Sequence, residues 1–178
     1  GSNVTMTNLV SNSGVVASDV SGVGTARREL AAAGYGTDKA IFGYGYGTTS
    51  LTNLVSSSGV VSADVTGVGS ARYDLAAASY GGDKAIFGYG PGASLFSLTN
   101  LVSSSGVVSA DVTGVGTARG GLAAASYGGD KAIFAYGATS SKVSMSNLVS
   151  NSGVVATDTT GVGTARAFVA AAGYSFTT

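Results

Sequence analysis

The stretch from Leu75 to Val112 reads LAAASYGGDKAIFGYG, then the spacer PGASLFS, then LTNLVSSSGVVSADV. It holds four short apolar-rich runs separated by turn text. Run A is Leu75 to Tyr80, run B is Lys84 to Tyr89, run C is Leu98 to Ser103 and run D is Val107 to Val112. Gly81-Gly82-Asp83 divides A from B, and Ser104-Ser105-Gly106 divides C from D. Both are tight-turn chemistry, because glycine reaches positive φ without steric cost. Valine, isoleucine, phenylalanine, tyrosine and threonine in the runs favour strands. Ala76-Ala77-Ala78 could open a helix, but turn text follows almost at once, so run A is read as a strand.

The same text recurs through the chain. The asparagine of the T/S-N-L-V element falls at Asn8, Asn53, Asn100 and Asn147, at spacings of 45, 47 and 47 residues. The arginine of G-V-G-T/S-A-R falls at Arg27, Arg72, Arg119 and Arg166 with the same spacings. Asp-Lys-Ala-Ile-Phe begins at Asp38, Asp83 and Asp130. The chain therefore reads as one repeat domain over residues 1–178. Runs C and D of one unit occupy 4–22, full units span about 27–66, 72–114 and 119–160, and a closing run A lies at 166–176. Four strands in about 47 residues is the size of one β-propeller blade. The expectation is an all-β fold of four-stranded antiparallel blades, about four per chain, with the terminal runs sharing one blade. A homo-oligomer that shares or completes the ring is the alternative.

Composition narrows the function. Nine basic and nine acidic residues leave no net charge, which argues against a nucleic-acid surface. Charged residues make up 10% of the chain, far below the ~25% of ordinary domains. Glycine is abundant and Pro91 is the single proline. No apolar run approaches the ~20 residues of a membrane helix, so no membrane insertion is expected. Gly1-Ser2 reads as a cloning remnant with no signal peptide after it.

Catalytic readings fail on residue types. Without histidine or cysteine, Ser-His-Asp, Cys-His and the usual zinc sets are excluded. A glycosidase-like carboxylate pair stays open on composition, but nearly every acid is repeat-locked. Asp19, Asp64, Asp111 and Asp158 form one such set, and Asp38, Asp83 and Asp130 another. A residue present in every unit reads as scaffold. No enzyme activity, cofactor or metal is expected. The four arginines could gather around an axis and hold an anion. The reading preferred here is a repeated structural pair, such as Arg72 with Asp64 held by its planar fork. The Asp83-Lys84 pairs read as exposed turn residues. Gly114 to Arg119 begins like a phosphate loop but lacks its third glycine and a following helix.

The pattern of an arginine, a small apolar run, a glycine turn and Lys84-Ala85-Ile86-Phe87-Gly88-Tyr89-Gly90 resembles the kelch repeat. It departs from kelch in having Gly-Tyr-Gly, or Ala-Tyr-Gly at 135–137, for the Gly-Gly pair, and in having no tryptophan. The resemblance implies a propeller and no particular ligand. The text from Asn147 to Arg166, taken with that from Leu75 to Gly90, also looks like tandem repeats of virion- or tail-associated proteins of aquatic bacteriophages. That likeness implies a virion or extracellular location and partners among cell-surface glycans, cell-surface proteins or other virion proteins.

Differences among the copies are the best guide to function. The pair after each arginine varies: Arg28-Glu29, Tyr73-Asp74, Gly120-Gly121 and Ala167-Phe168. So does the B-to-C connection: Tyr46 to Ser50, Pro91 to Ser97, and Ala138 to Lys142. The A-to-B and C-to-D turns hardly change. In an antiparallel meander the variable connections emerge on one rim, where loops on a rigid scaffold commonly carry binding. Arg28, Glu29, Tyr46, Tyr73, Asp74, Phe96, Lys142 and Phe168 are the candidate ligand-binding residues. Arg27, Arg72, Arg119, Arg166, Asp19, Asp64, Asp111 and Asp158 are the structural set. The expected function is a non-enzymatic binding module, with a structural assembly protein or an engineered repeat scaffold as alternatives.

Overall fold

The computed structural model describes residues 2–47 and 49–173. Thr48, in the first B-to-C connection, and the end of the closing run from Tyr174 onward lie outside the described residues. The described chain is all-β with no helix, and so has no helix long and apolar enough to cross a membrane. It forms three three-stranded antiparallel sheets, each from one repeat unit. The first sheet contains β1 (Ala31–Tyr35), β2 (Lys39–Gly43) and β3 (Thr52–Val55). The second contains β4 (Ala76–Tyr80), β5 (Lys84–Gly88) and β6 (Thr99–Val102). The third contains β7 (Ala123–Tyr127), β8 (Lys131–Ala135) and β9 (Ser146–Val149).

Runs A, B and C thus form the strands expected of them, and the register is identical in each unit. Tyr80 faces Lys84 across a glycine turn, and Phe87 faces Asn100. Gly81 and Gly82 both have positive φ in that turn. In the first unit Thr37 takes the second of these positions at φ 71°, a conformation that a β-branched residue rarely adopts.

Run D departs from the expectation of a fourth regular strand. It meets run C at two isolated bridges, Val55 with Val61 and Thr52 with Val65 in the first unit. Three steps on run C oppose four on run D, which is a β-bulge. The bulge turns the Ser62 carbonyl off the ladder, where it accepts from the Asn53 side chain, and the Leu54 N–H is answered by Ser62 Oγ. The edge is thereby bent and partly closed to further pairing.

The sheets stack in chain order. β1 packs on β4 and β4 on β7, with alanine on the facing surfaces allowing close approach. The side chain of Ser79 donates to the Gly34 carbonyl of the unit before it, and Ser126 donates to Ser79 in the same way. Backbone bonds repeat at the turns, from Gly36 N–H to Asp83 and from Gly81 N–H to Asp130. The core lies between sheets. Phe87 is fully buried against Tyr44, edge to face at 5.3 Å, and Phe134 meets Tyr89 likewise at 5.2 Å.

Each of these rings points at a glycine. A Cβ on Gly43 would lie 2.7 Å from Phe87 Cζ, and one on Gly88 would lie 2.6 Å from Phe134 Cζ. The equivalent third position is Ala135, which among the described residues receives no such ring. The 4–20 hairpin stacks on the first unit, with Leu9 against Gly59. The run 169–171 borders a cleft with β7 and β8. Among the described residues no backbone hydrogen bond joins that hairpin to that run.

Gly88→Ala should cost about 1–3 kcal/mol through overpacking against Phe134, whereas Ala135→Gly should cost no more than about 1 kcal/mol. Urea denaturation of the two variants beside the parent chain measures the difference.

Candidate functional site: the inter-unit lock and the variable rim

Two groups of side chains stand out, one buried and repeated, the other exposed and varied. The buried group is built on the arginine. Arg27 donates from Nε to the Tyr44 carbonyl at 2.8 Å, from Nη1 to the Thr25 carbonyl at 3.2 Å, and from Nη2 to Asn53 Oδ1. Asn53 donates to Asp64 at 2.9 Å, and Asp64 accepts from the Thr25 N–H at 3.0 Å and from Thr25 Oγ1 at 2.7 Å. Arg119, Asn147, Asp158 and Thr117 repeat this arrangement. So do Arg72, Asn100, Asp111 and Ser70, except that Arg72 Nη1 donates to Leu98 and its buried Nε has no partner.

Two of the three arginines also lie over a tyrosine of the unit before them. Arg72 is 4.8 Å from the Tyr44 ring centroid and Arg119 is 4.4 Å from that of Tyr89. At Arg72 and Arg119 the guanidinium is therefore bonded within its own unit and stacked on a ring of the unit before.

This corrects the expected pairing of Arg72 with Asp64. Asp64 belongs with Arg27, 3.6 Å away, one unit earlier than assumed. Nor does the guanidinium grip the carboxylate with its fork, because the carboxylate is taken by the threonine or serine two residues before the arginine. Asparagine is the main partner, and its recurrence in every unit was the signal that marks it. The arginines do not gather around an open anion site, since Arg27, Arg72 and Arg119 are buried with protein partners.

Electrostatics fit a structural role. Burial lowers the Arg72 guanidinium from its ordinary value, against the opposing pull of Tyr44 and Asp111. Burial pushes Tyr44 and Tyr89 up to about 12. Hydrogen bonds from Thr25 and Asn53 hold Asp64 below its ordinary value. Burial acts upward on Asp111 and Asp158, but bonds from Ser70 with Asn100, and from Thr117 with Asn147, outweigh it and lower both.

The exposed group lies on the variable rim. Arg28 sits 3.8 Å from the Tyr46 ring centroid, and Tyr46 meets Tyr73 edge to face at 5.4 Å. Arg28 also pairs with Glu29 at 3.0 Å. Asp74 N–H donates to the Glu29 carbonyl, Gly121 N–H to Asp74, and Phe168 N–H to Gly121. Burial, then the Glu29 charge, raises the Asp74 carboxyl. Glu29, Asp74 and Phe168 all adopt positive φ, as does Gly121. These four residues border one small cleft.

Arg28, Glu29, Tyr46, Tyr73, Asp74 and Phe168 thus fall along one edge. Phe96 borders the same edge through Gly92 and the Pro91 carbonyl, which accepts from Tyr73. Lys142 is exposed and lies beside Val143 and Asp158, near the lock. Among the described residues no cluster of three or more acids could hold a metal ion. The Asp-Lys pairs at 38–39, 83–84 and 130–131 are exposed contacts between neighbours in sequence. Comparison with protein-family models and with curated proteins finds no match.

Asn100→Ala should cost about 2–3 kcal/mol, because it removes a charge-assisted bond from a buried guanidinium, as read by chemical denaturation. The three lock carboxylates are shifted down from 3.8. Their stabilisation is complete above that value and is lost as pH falls through the lower folded value. Asp74, shifted up, works in the opposite sense. Stability should hold from neutral pH to about pH 5 and fall below about pH 4. Urea midpoints measured across that range test this, and Asp111→Asn should flatten the slope.

Proposed function

We propose that this chain is a non-enzymatic binding module in which a rigid repeat stack presents one variable rim to a cell-surface glycan or protein. The observation that carries this reading is the Arg28–Tyr46–Tyr73 cluster, built from residues that differ between otherwise matching copies. Tyr46 is 45% exposed, and its ring offers an apolar face beside a guanidinium. Sugars bind through such faces combined with nearby hydrogen-bonding groups, and Glu29 and Asp74 supply acceptors close by. A tail- or fibre-associated role on a virion or outside the cell follows from the sequence resemblance. The kelch-like blade arrangement belongs to the same proposal, with each sheet and its bulged run D as one blade.

A structural assembly role is the second reading. It draws on the inter-unit lock, which invests the invariant polar residues in holding units together rather than in a ligand.

A glycan array probed with the chain should give hits that fall at least tenfold in Tyr73→Ala and Arg28→Ala, while Lys84→Ala, on the opposite rim, binds as the parent does. Equal binding by all three variants, or no ligand among glycans and cell-surface extracts, removes the rim from consideration and leaves the structural role.

A further inference from the structure

The lock within each unit and the contacts between neighbouring units both have two halves, and at each end of the stack one half stands open. The arginine half is complete at Arg27, Arg72 and Arg119, all buried, and their partners Asn53, Asn100 and Asn147 are buried too. Arg166 is exposed, and among the described residues its side chain donates only to the Tyr136 hydroxyl, at 2.5 Å, with its guanidinium 4.0 Å from the ring centroid. At the other end Asn8 and Asp19 are exposed, yet already set in the lock conformation. Asn8 donates to the Ala17 carbonyl at 3.0 Å and to Asp19 at 2.9 Å, as Asn147 does to Ala156 and Asp158.

Two further contacts repeat the pattern. The glycine three residues before each arginine lies against the next unit's carboxylate. A Cβ on Gly24, Gly69 or Gly116 would fall 2.3–2.4 Å from Asp64, Asp111 or Asp158, whereas Gly163 has nothing within 4 Å. The run C leucine of each unit lies against the turn glycine of the next, as Leu9 on Gly59, Leu54 on Gly106 and Leu101 on Gly153. Among the described residues Leu148 is exposed with no such glycine to cover, and a Cβ on Gly14 would meet nothing within 4 Å.

We infer that the two ends of the stack are mates, and that the occupant of each is a second copy of this chain, docked head to tail. Arg166 of one copy enters the Asn8–Asp19 cradle of the next, Gly163 lies against that Asp19, and Leu148 covers Gly14. The contact is continuous with the three locks already formed within the chain, and its charges are complementary. Ala135 is consistent with this junction. Where a following unit brings a phenylalanine, the position is glycine, but the 4–20 hairpin has no run B and brings none. A contact of this kind is heterologous, so it generates a ladder or a ring of copies rather than an isologous pair. The inference is independent of the glycan reading, since the rim plays no part in it.

Sedimentation velocity of the full chain over a concentration series tests it. The expected result is mass growing in single-chain steps. Arg166→Ala and Asp19→Ala, both at exposed positions, should each weaken association roughly tenfold or more while circular dichroism stays unchanged. Mixing the two variants should restore one junction and give dimers that grow no further. A monomer at every concentration overturns the inference, as does assembly that survives both substitutions. A monomer whose melting temperature drops with either substitution also overturns it, because the ends then mate within one chain.

Discussion

A guanidinium taken out of water has to be answered by acceptors, and in this chain each unit supplies the acceptors of its own arginine, while the unit before lends a ring to Arg72 and to Arg119. Arg119 is held by Tyr136 and Thr117 on its own side and by Asn147 from run C of the same sheet, while the Tyr89 ring beneath it comes from the sheet before. Bonding within the unit is thus joined, at Arg72 and Arg119, by a contact to the unit before. The same arginine therefore serves its own sheet and the junction to the sheet before. That is the pattern of one-dimensional repeat proteins, whose stability is a sum of terms within units and between neighbouring units.

The second constraint is how closely the sheets approach. Alanine fills β1, β4 and β7 on the facing side, and Gly43 and Gly88 leave room for an aromatic ring from the following sheet. Phe87 and Phe134 fill that room and meet a buried tyrosine edge to face. Those tyrosines hold a positive φ, 65° at both Tyr44 and Tyr89. The strained backbone turns the ring back into the stack, where it serves the phenylalanine on one side and the next arginine on the other. Packing and lock therefore share a residue at Tyr44 and at Tyr89.

Much of this was legible in the sequence. The period, the strands of runs A, B and C and the glycine turns follow from apolar runs and turn text. Run D was not legible as a bulged edge, because Val60-Val61-Ser62-Ala63-Asp64-Val65 has the composition of a strand and the bulge depends on where Asn53 places its amide. The partner of each arginine was assigned to an acid because charges attract. The structure gives the place to asparagine, which reaches the guanidinium without adding a second buried charge. The variation among copies singles out residues of the rim, but the contact of Arg28 with Tyr46 could not be read from residues 18 apart on different loops. Whether the stack closes on itself depends on small angles between sheets, and no residue type encodes those locally.

The spacing of 45 residues in the first period and 47 in the others arises wholly in the connection from run B to run C. In the two longer copies the extra residues form small side loops, closed by bridges from Pro91 to Leu95 and from Ala138 to Lys142. The lock residues keep their relative positions whatever that connection does. Loss or gain of a whole unit would leave every remaining junction complete, and growth of a side loop would leave the stack undisturbed. Copy number and loop content are therefore separate variables for such a chain, one setting its reach and the other what it displays.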